Sequence, residues 1–93
     1  MKILGAAARI HSSTVMILLD KAGIAYTGYH TRQNVFSAPS ATILPTGVKL
    51  STPGLLVCTG GNQLYFYWVD AKTGNPLHIY SLDSGQSWYS SAP

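Results

Sequence analysis

Three carboxylates, three imidazoles and one thiol are the side chains of this 93-residue chain that most readily do acid–base or nucleophilic chemistry near neutral pH. The acids are Asp20, Asp70 and Asp83, and there is no Glu. Each stands at the head of a short stretch ending in Gly: DKAG, DAKTG and DSG. A carboxylate in that place accepts hydrogen bonds from the free amides of a turn, so each acid has a structural task. Glycoside hydrolysis needs two acids flanking one bond, and none of the three is left for it. Ser is abundant, so counting alone does not exclude a Ser–His–Asp set. No G-x-S-x-G nucleophile turn is present, however, and no phosphate-cradling or dinucleotide fingerprint. Cys58 stands alone in LLVCT, where a buried thiol is the expectation and no intramolecular disulfide can form. These residues predict neither a catalytic set nor a cofactor.

The elements that position these groups read as β-hairpins. From 12 to 31, two apolar runs flank DKAG, which suits a type I turn closed by a left-handed glycine, Gly23. Pairing Leu19 with Ile24 would set Ile17 opposite Tyr26, Val15 opposite Gly28 and Ser13 opposite His30. Val15, Ile17, Leu19, Ile24 and Tyr26 would then share a face, with His11, His30 and Arg32 at its far end. Two histidines there invite a metal, but no carboxylate or Cys completes a shell, so no metal site is expected. A helix over Ser13–Ala22, capped by Gly23, is the competing reading.

The stretch 32–54 holds Pro39, Pro45 and Pro53 and a Pro-Thr-Gly turn. Prolines exclude a long helix and limit strands to edges, so the segment is expected to be a Pro-rich loop or an arm laid on a neighbour. From 55 to 91 the pattern is a four-stranded meander: LLVCT, GGN, QLYFYWVD, AKTG, PLHIYSL, DSGQ, SWYSS. AKTG is expected to repeat the DKAG turn and end in Gly74. Pairing Asp70 with Asn75 puts Phe66, Trp68, Leu77 and Ile79 on a core face. Tyr65, Tyr67, His78 and Tyr80 share the other, with Trp88 and Tyr89 near; that face is a second packing face, a subunit contact or a ligand platform.

The stretch Ser81-Leu82-Asp83-Ser84-Gly85-Gln86-Ser87-Trp88 resembles the Asp-box, the bacterial neuraminidase repeat. Ser81, Asp83, Gly85 and Trp88 match its pattern, and Ser87 stands where Thr is usual. The resemblance implies a hairpin corner held by Asp83, Gly85 and Trp88, with no catalytic role. LYFYWVDAKTGNPLHIY is also similar, more weakly, to repeats of quinoprotein-type propellers, and brings no cofactor residues with it.

Composition completes the reading. Only 10% of residues are charged, against roughly 25% in an average soluble domain. Such a surface suits coverage by other chains; a hydroxyl-rich coat on a secreted monomer is the alternative. The +3 net charge is scattered, without the clustered cations of a nucleic-acid binder. The opening apolar run is interrupted at Arg9, too short for a signal-peptide core, and no run reaches the ~18 residues of a membrane span.

The expectation is thus one all-β domain over 1–93, a small sandwich or propeller-blade-like unit with a Pro-rich irregular centre. It would act as a non-enzymatic structural or assembly subunit, bound to copies of itself or to other proteins. Composition and analogy suggest a minor component of a phage virion, such as a decoration, fibre-base or tail-associated protein. A small carbohydrate-binding module, taking a glycan on the aromatic face, is the alternative.

Overall fold

The computed structural model describes residues 1–11, 13–31 and 39–90. Among them every regular element is a strand. β1 (Lys2–Ile10), β2 (Ser13–Leu19), β3 (Ala25–His30) and β4 (Ser40–Ala41) form one antiparallel sheet in that order. β5 (Leu55–Gly60), β6 (Gln63–Val69), β7 (Pro76–Ser81) and β8 (Tyr89–Ser90) form a second with the same order. The protein is therefore all-β, two four-stranded meanders in succession.

The competing helix over Ser13–Ala22 is not formed, since Ser13–Leu19 is the central strand β2. Its Thr14, Val15 and Ile17 are β-branched, and the strand pairs on both sides. The expected register of this hairpin is off by one. Leu19 pairs with Ala25, Leu18 with Tyr26, Ile17 with Thr27, Val15 with Tyr29 and Thr14 with His30. Asp20 itself holds the last pairing position, its amide bonding the Ile24 carbonyl at 3.1 Å. A one-residue slip moves every partner to the other face. Ala25, Thr27 and Tyr29 thus join Val15, Ile17 and Leu19, while Ile24, 48% exposed, and Tyr26 face away. His30 shares the face of Thr14, not that of Val15. His11 lies exposed in the β1–β2 turn, and Arg32 is outside the described residues.

The cause is the distance from Asp to Gly. In DKAG, three residues apart, the Gly23 amide reaches the Asp20 carbonyl at 3.1 Å. In DAKTG, four apart, the Gly74 amide reaches the Asp70 carbonyl at 2.8 Å. The two turns are not of one form. The longer one keeps the Asp70–Asn75 register, with Val69 on Pro76, Tyr67 on His78 and Tyr65 on Tyr80.

β1 is an addition to the sequence reading. Its register on β2 shifts twice, between Ile3 and Gly5 and between Ala7 and Ile10, with one extra β1 residue each time. The bulges place Leu4, Ala7 and Ile10 inward at intervals of three, so the strand lacks the two-residue alternation by which strands are read.

The inner faces of the two sheets share one core. Leu4, Ala7, Ile10, Val15, Ile17 and Ala25 meet Leu56, Leu64, Phe66, Ile79 and Trp88. Leu50 from the Pro-rich segment is buried among them, and Leu44 and Val48 pack against it. The described part of that segment thus lies on its own chain. Residues 32–38 of the expected loop or arm, and Ser91 of the expected last strand, lie outside the described residues.

Two glycines let the sheets close. The Gly54 amide bonds the Leu4 carbonyl at 2.7 Å. A Cβ on Gly5 would sit 2.8 Å from Phe66 Cε1, and one on Gly54 would sit 2.3 Å from the Tyr67 carbonyl oxygen.

Candidate functional site

Two constellations carry the polar and aromatic residues singled out above. The first is the corner Ser81–Trp88, between β7 and β8. The Ser81 hydroxyl, fully buried, donates to Asp83 Oδ1 at 2.8 Å and accepts the Gly85 amide at 2.9 Å. Asp83 Oδ1 also accepts the Ser87 amide at 2.9 Å, and Oδ2 accepts the Ser87 hydroxyl at 2.6 Å. Ser87, where Thr is usual, therefore supplies the hydroxyl the carboxylate uses. Gly85 has φ +93°, and a Cβ there would meet the Thr27 side chain at 3.1 Å. Trp88, 2% exposed, turns back under the corner and donates Nε1–H to the Gly85 carbonyl at 3.0 Å.

The corner also fastens one sheet to the other. The Thr27 and Thr42 hydroxyls lie 2.6 Å apart, and both reach the Gly85 carbonyl, at 2.6 and 2.5 Å. Two hydroxyl protons thus serve three short contacts, a shared network rather than three separate bonds. Tyr29 Oη donates to the Ser84 carbonyl at 2.9 Å. The Ile43 amide bonds the Gln86 carbonyl and the Trp88 amide bonds the Ile43 carbonyl, at 3.0 and 2.9 Å. Thr27, Thr42 and Tyr29 carry no local sequence signal for this role, because their partners lie 43 to 58 residues away.

Electrostatics follow from these contacts. Partial burial pushes the Asp83 carboxyl upward. The Ser87 hydroxyl, the Ser87 amide and the Ser81 hydroxyl outweigh it and hold the pKa below the usual carboxylate value. Asp20 is lowered too, first by the Ile24 amide, with further help from Tyr26 and the Ala22 amide. The Tyr26 hydroxyl is raised in turn by its bond to Asp20. Asp70 accepts the Lys72 amide at 3.0 Å and the Thr73 hydroxyl at 3.1 Å. All three acids are thus engaged by their own turns, Gly23 and Gly74 taking φ of 84° and 72°.

The second constellation is the outer face of β5–β8. Tyr65 and Tyr67 stack with centroids 6.2 Å apart at 18°. Tyr67 lies 5.3 Å from His78, and Tyr65 lies 6.1 Å from Tyr80. Tyr89, unassigned by the sequence pairing, extends the row 5.6 Å beyond Tyr80. Leu55, in register with Tyr67, and Val69 flank the rings. Four of these side chains are open to solvent: Leu55 62%, Val69 58%, Tyr89 49% and Tyr67 41%. On the opposite face of the same strands Phe66 and Ile79 are fully buried and Trp68 is half-buried, whereas Leu77, expected in the core, is 41% exposed near the start of β7.

Among the described residues no group of three or more His, Cys, Asp or Glu could hold a metal. No described helix is long and apolar enough to cross a membrane. Comparisons with protein-family models, curated proteins and solved structures each gave no match.

Proposed function

We propose that this protein is a non-enzymatic assembly subunit that docks other protein chains through the outer face of β5–β8. One observation carries the reading. A sheet face with four large apolar or aromatic side chains open to solvent belongs to a chain with only 10% charged residues. Contiguous exposed apolar area of this kind marks interaction surfaces, and Tyr is enriched where interfaces form. The three carboxylates support the reading from the other side, each being taken up by its own corner. The composition suggests a larger particle, such as a virion, as the setting. Light scattering after size exclusion tests the proposal: an oligomer or concentration-dependent mass is expected, and a strict monomer up to millimolar concentration refutes self-assembly.

The row of rings favours a second reading, a glycan platform. Aromatic faces with polar tips suit sugar rings, and Tyr67 and Tyr89 are exposed. On this reading Tyr67→Ala with Tyr80→Ala abolishes glycan binding and leaves the fold intact. Unchanged binding would eliminate it.

A further inference from the structure

The inner face of the second sheet is covered unevenly. Phe66 pairs with Ile79 in β6–β7, and both are fully buried. One side-chain step along the same face, Trp68 pairs with Leu77. That step is only about 7 Å, yet Trp68 is half-buried and Leu77 is 41% exposed. The cover over the inner face runs out between these two rows. Val48, from the Pro-rich segment, reaches the place and leaves it open. Two clefts, of about 450 and 410 Å³, meet there along Val48, Trp68 and Leu77. Both volumes lie in the range of small-molecule pockets.

The indole of Trp68 is the floor. Its ring centroid lies 5.6 Å from that of Phe66, with the planes at 27°, so the core backs the ring and holds it in place. Among the described residues no group accepts a hydrogen bond from its Nε1–H, and no polar side-chain atom is buried without a partner. This N–H is therefore open to water. Trp88 is the contrast, since its Nε1–H is buried and given to the Gly85 carbonyl at 3.0 Å.

The two clefts differ in charge. Lys49 and Lys72 both line the 450 Å³ cleft. Among the described residues neither ammonium is within ion-pair distance of a carboxylate. Asp70 shares that lining, but its carboxylate is taken up by its own turn, accepting the Lys72 amide and the Thr73 hydroxyl. The 410 Å³ cleft continues the apolar floor to Ile79 and Pro76, and its lining holds no Lys, Arg, Asp or Glu. The site thus has a cationic end and an apolar end, with a free indole N–H donor between them.

We propose that this double cleft binds a small amphiphilic carboxylate. Its acid group meets Lys49 and Lys72, and its apolar body lies on Trp68 between Val48 and Leu77. A hydroxyl-rich sugar fits less well, because Val48 and Leu77 offer its hydroxyls no hydrogen bond. The site is thereby distinct from the glycan platform considered for the outer face. It is also independent of the assembly reading, since it uses the uncovered end of the inner face of β6–β7.

Phenylpropionate is the probe, added to the full chain and followed by proton–nitrogen correlation spectra near neutral pH. A ligand this small on a half-open cleft should bind with a Kd in the millimolar range, so the titration runs to about 20 mM. The Trp68 indole signal should move and saturate, while the buried Trp88 indole signal should stay. Phenylpropanol, which lacks the charge, should bind about fivefold more weakly. Acetate, which lacks the ring, should give no saturable shift. Lys49→Gln with Lys72→Gln should raise the Kd of the acid to that of the alcohol; both lysines are exposed, and the amide spectrum verifies the fold. Leu77→Ser should weaken the acid and the alcohol alike. A Trp68 signal that does not respond to phenylpropionate overturns the site, as does a saturable response centred on Tyr67 and Tyr89. Equal binding of acid and alcohol, or an acid Kd unchanged by loss of both lysines, overturns the carboxylate assignment. Tighter binding of glucuronate than of phenylpropionate overturns the apolar one.

Discussion

Replacing Trp88 by Ala isolates the energy of the corner's apolar half. An aromatic side chain buries about 150–250 Å², and Trp88 is 2% exposed. At about 25 cal/mol per Å², the loss is about 4–6 kcal/mol. Compact unfolded chains already hide part of that area, which lowers the figure. The polar part adds little. The Gly85 carbonyl loses Nε1–H but keeps the Thr27 and Thr42 hydroxyls, so no buried acceptor is stranded. The expected cost is about 4 kcal/mol, within the usual ~3–5 for Trp→Ala in a core. For a domain of this size 1 kcal/mol shifts Tm by about 4–8 °C, so the fall should be at least about 12 °C. Urea denaturation followed by far-UV circular dichroism measures it without relying on the removed fluorophore. Trp88→Phe, which keeps a ring and loses the hydrogen bond, should fall between. A Trp88→Ala chain within about 1 kcal/mol of wild type would refute the burial argument.

Two further outcomes follow from the same contacts. The Asp83 carboxyl is held below its ordinary pKa, so its contribution to stability is fully present above that ordinary value. It is lost as pH falls through the lower folded-state pKa. Asp83→Asn should therefore flatten the acid limb of a Tm-against-pH curve below about pH 4, while lowering Tm near neutrality; an unchanged limb contradicts the assignment. Gly54→Ala should lower stability by more than about 2 kcal/mol, because its Cβ would lie 2.3 Å from a backbone oxygen and 2.6 Å from Phe66 Cζ. A neutral melt would show that the approach of the sheets can relax.

The second sheet is the legible half. Its strands alternate by two residues, its turns are marked by Gly, and the Asp70–Asn75 register follows from the turn. The first sheet was harder for physical reasons. Leu4, Ala7 and Ile10 point inward only because two bulges reset the alternation, and KILGAAARI is poor in β-branched residues. The slip of one residue in β2–β3 follows from equating DKAG with AKTG as four-residue loops: Asp20, like Asp70, pairs with the residue after its glycine, so the first loop is only Lys21-Ala22-Gly23. The hydroxyls of Thr27, Thr42 and Tyr29 were beyond reach, since nothing near them in sequence announces a carbonyl more than forty residues away. The aromatic face was read from period alone, because alternation assigns residues to faces. It does not assign what covers them.

The Gly85 carbonyl has a kinetic consequence. Each meander is local, its hairpins joining strands a few residues apart, and closing short loops is rapid. The Thr27–Gly85 and Thr42–Gly85 contacts instead span 58 and 43 residues. Long-range contacts confer no stability until the intervening chain has been restrained, and that restraint slows folding. The joint between the sheets should therefore form after the sheets themselves. Thr27→Val would then leave hairpin formation almost untouched and act mainly by speeding unfolding. The late-forming joint is a latch: it governs how long the folded pair of sheets persists more than how quickly it appears.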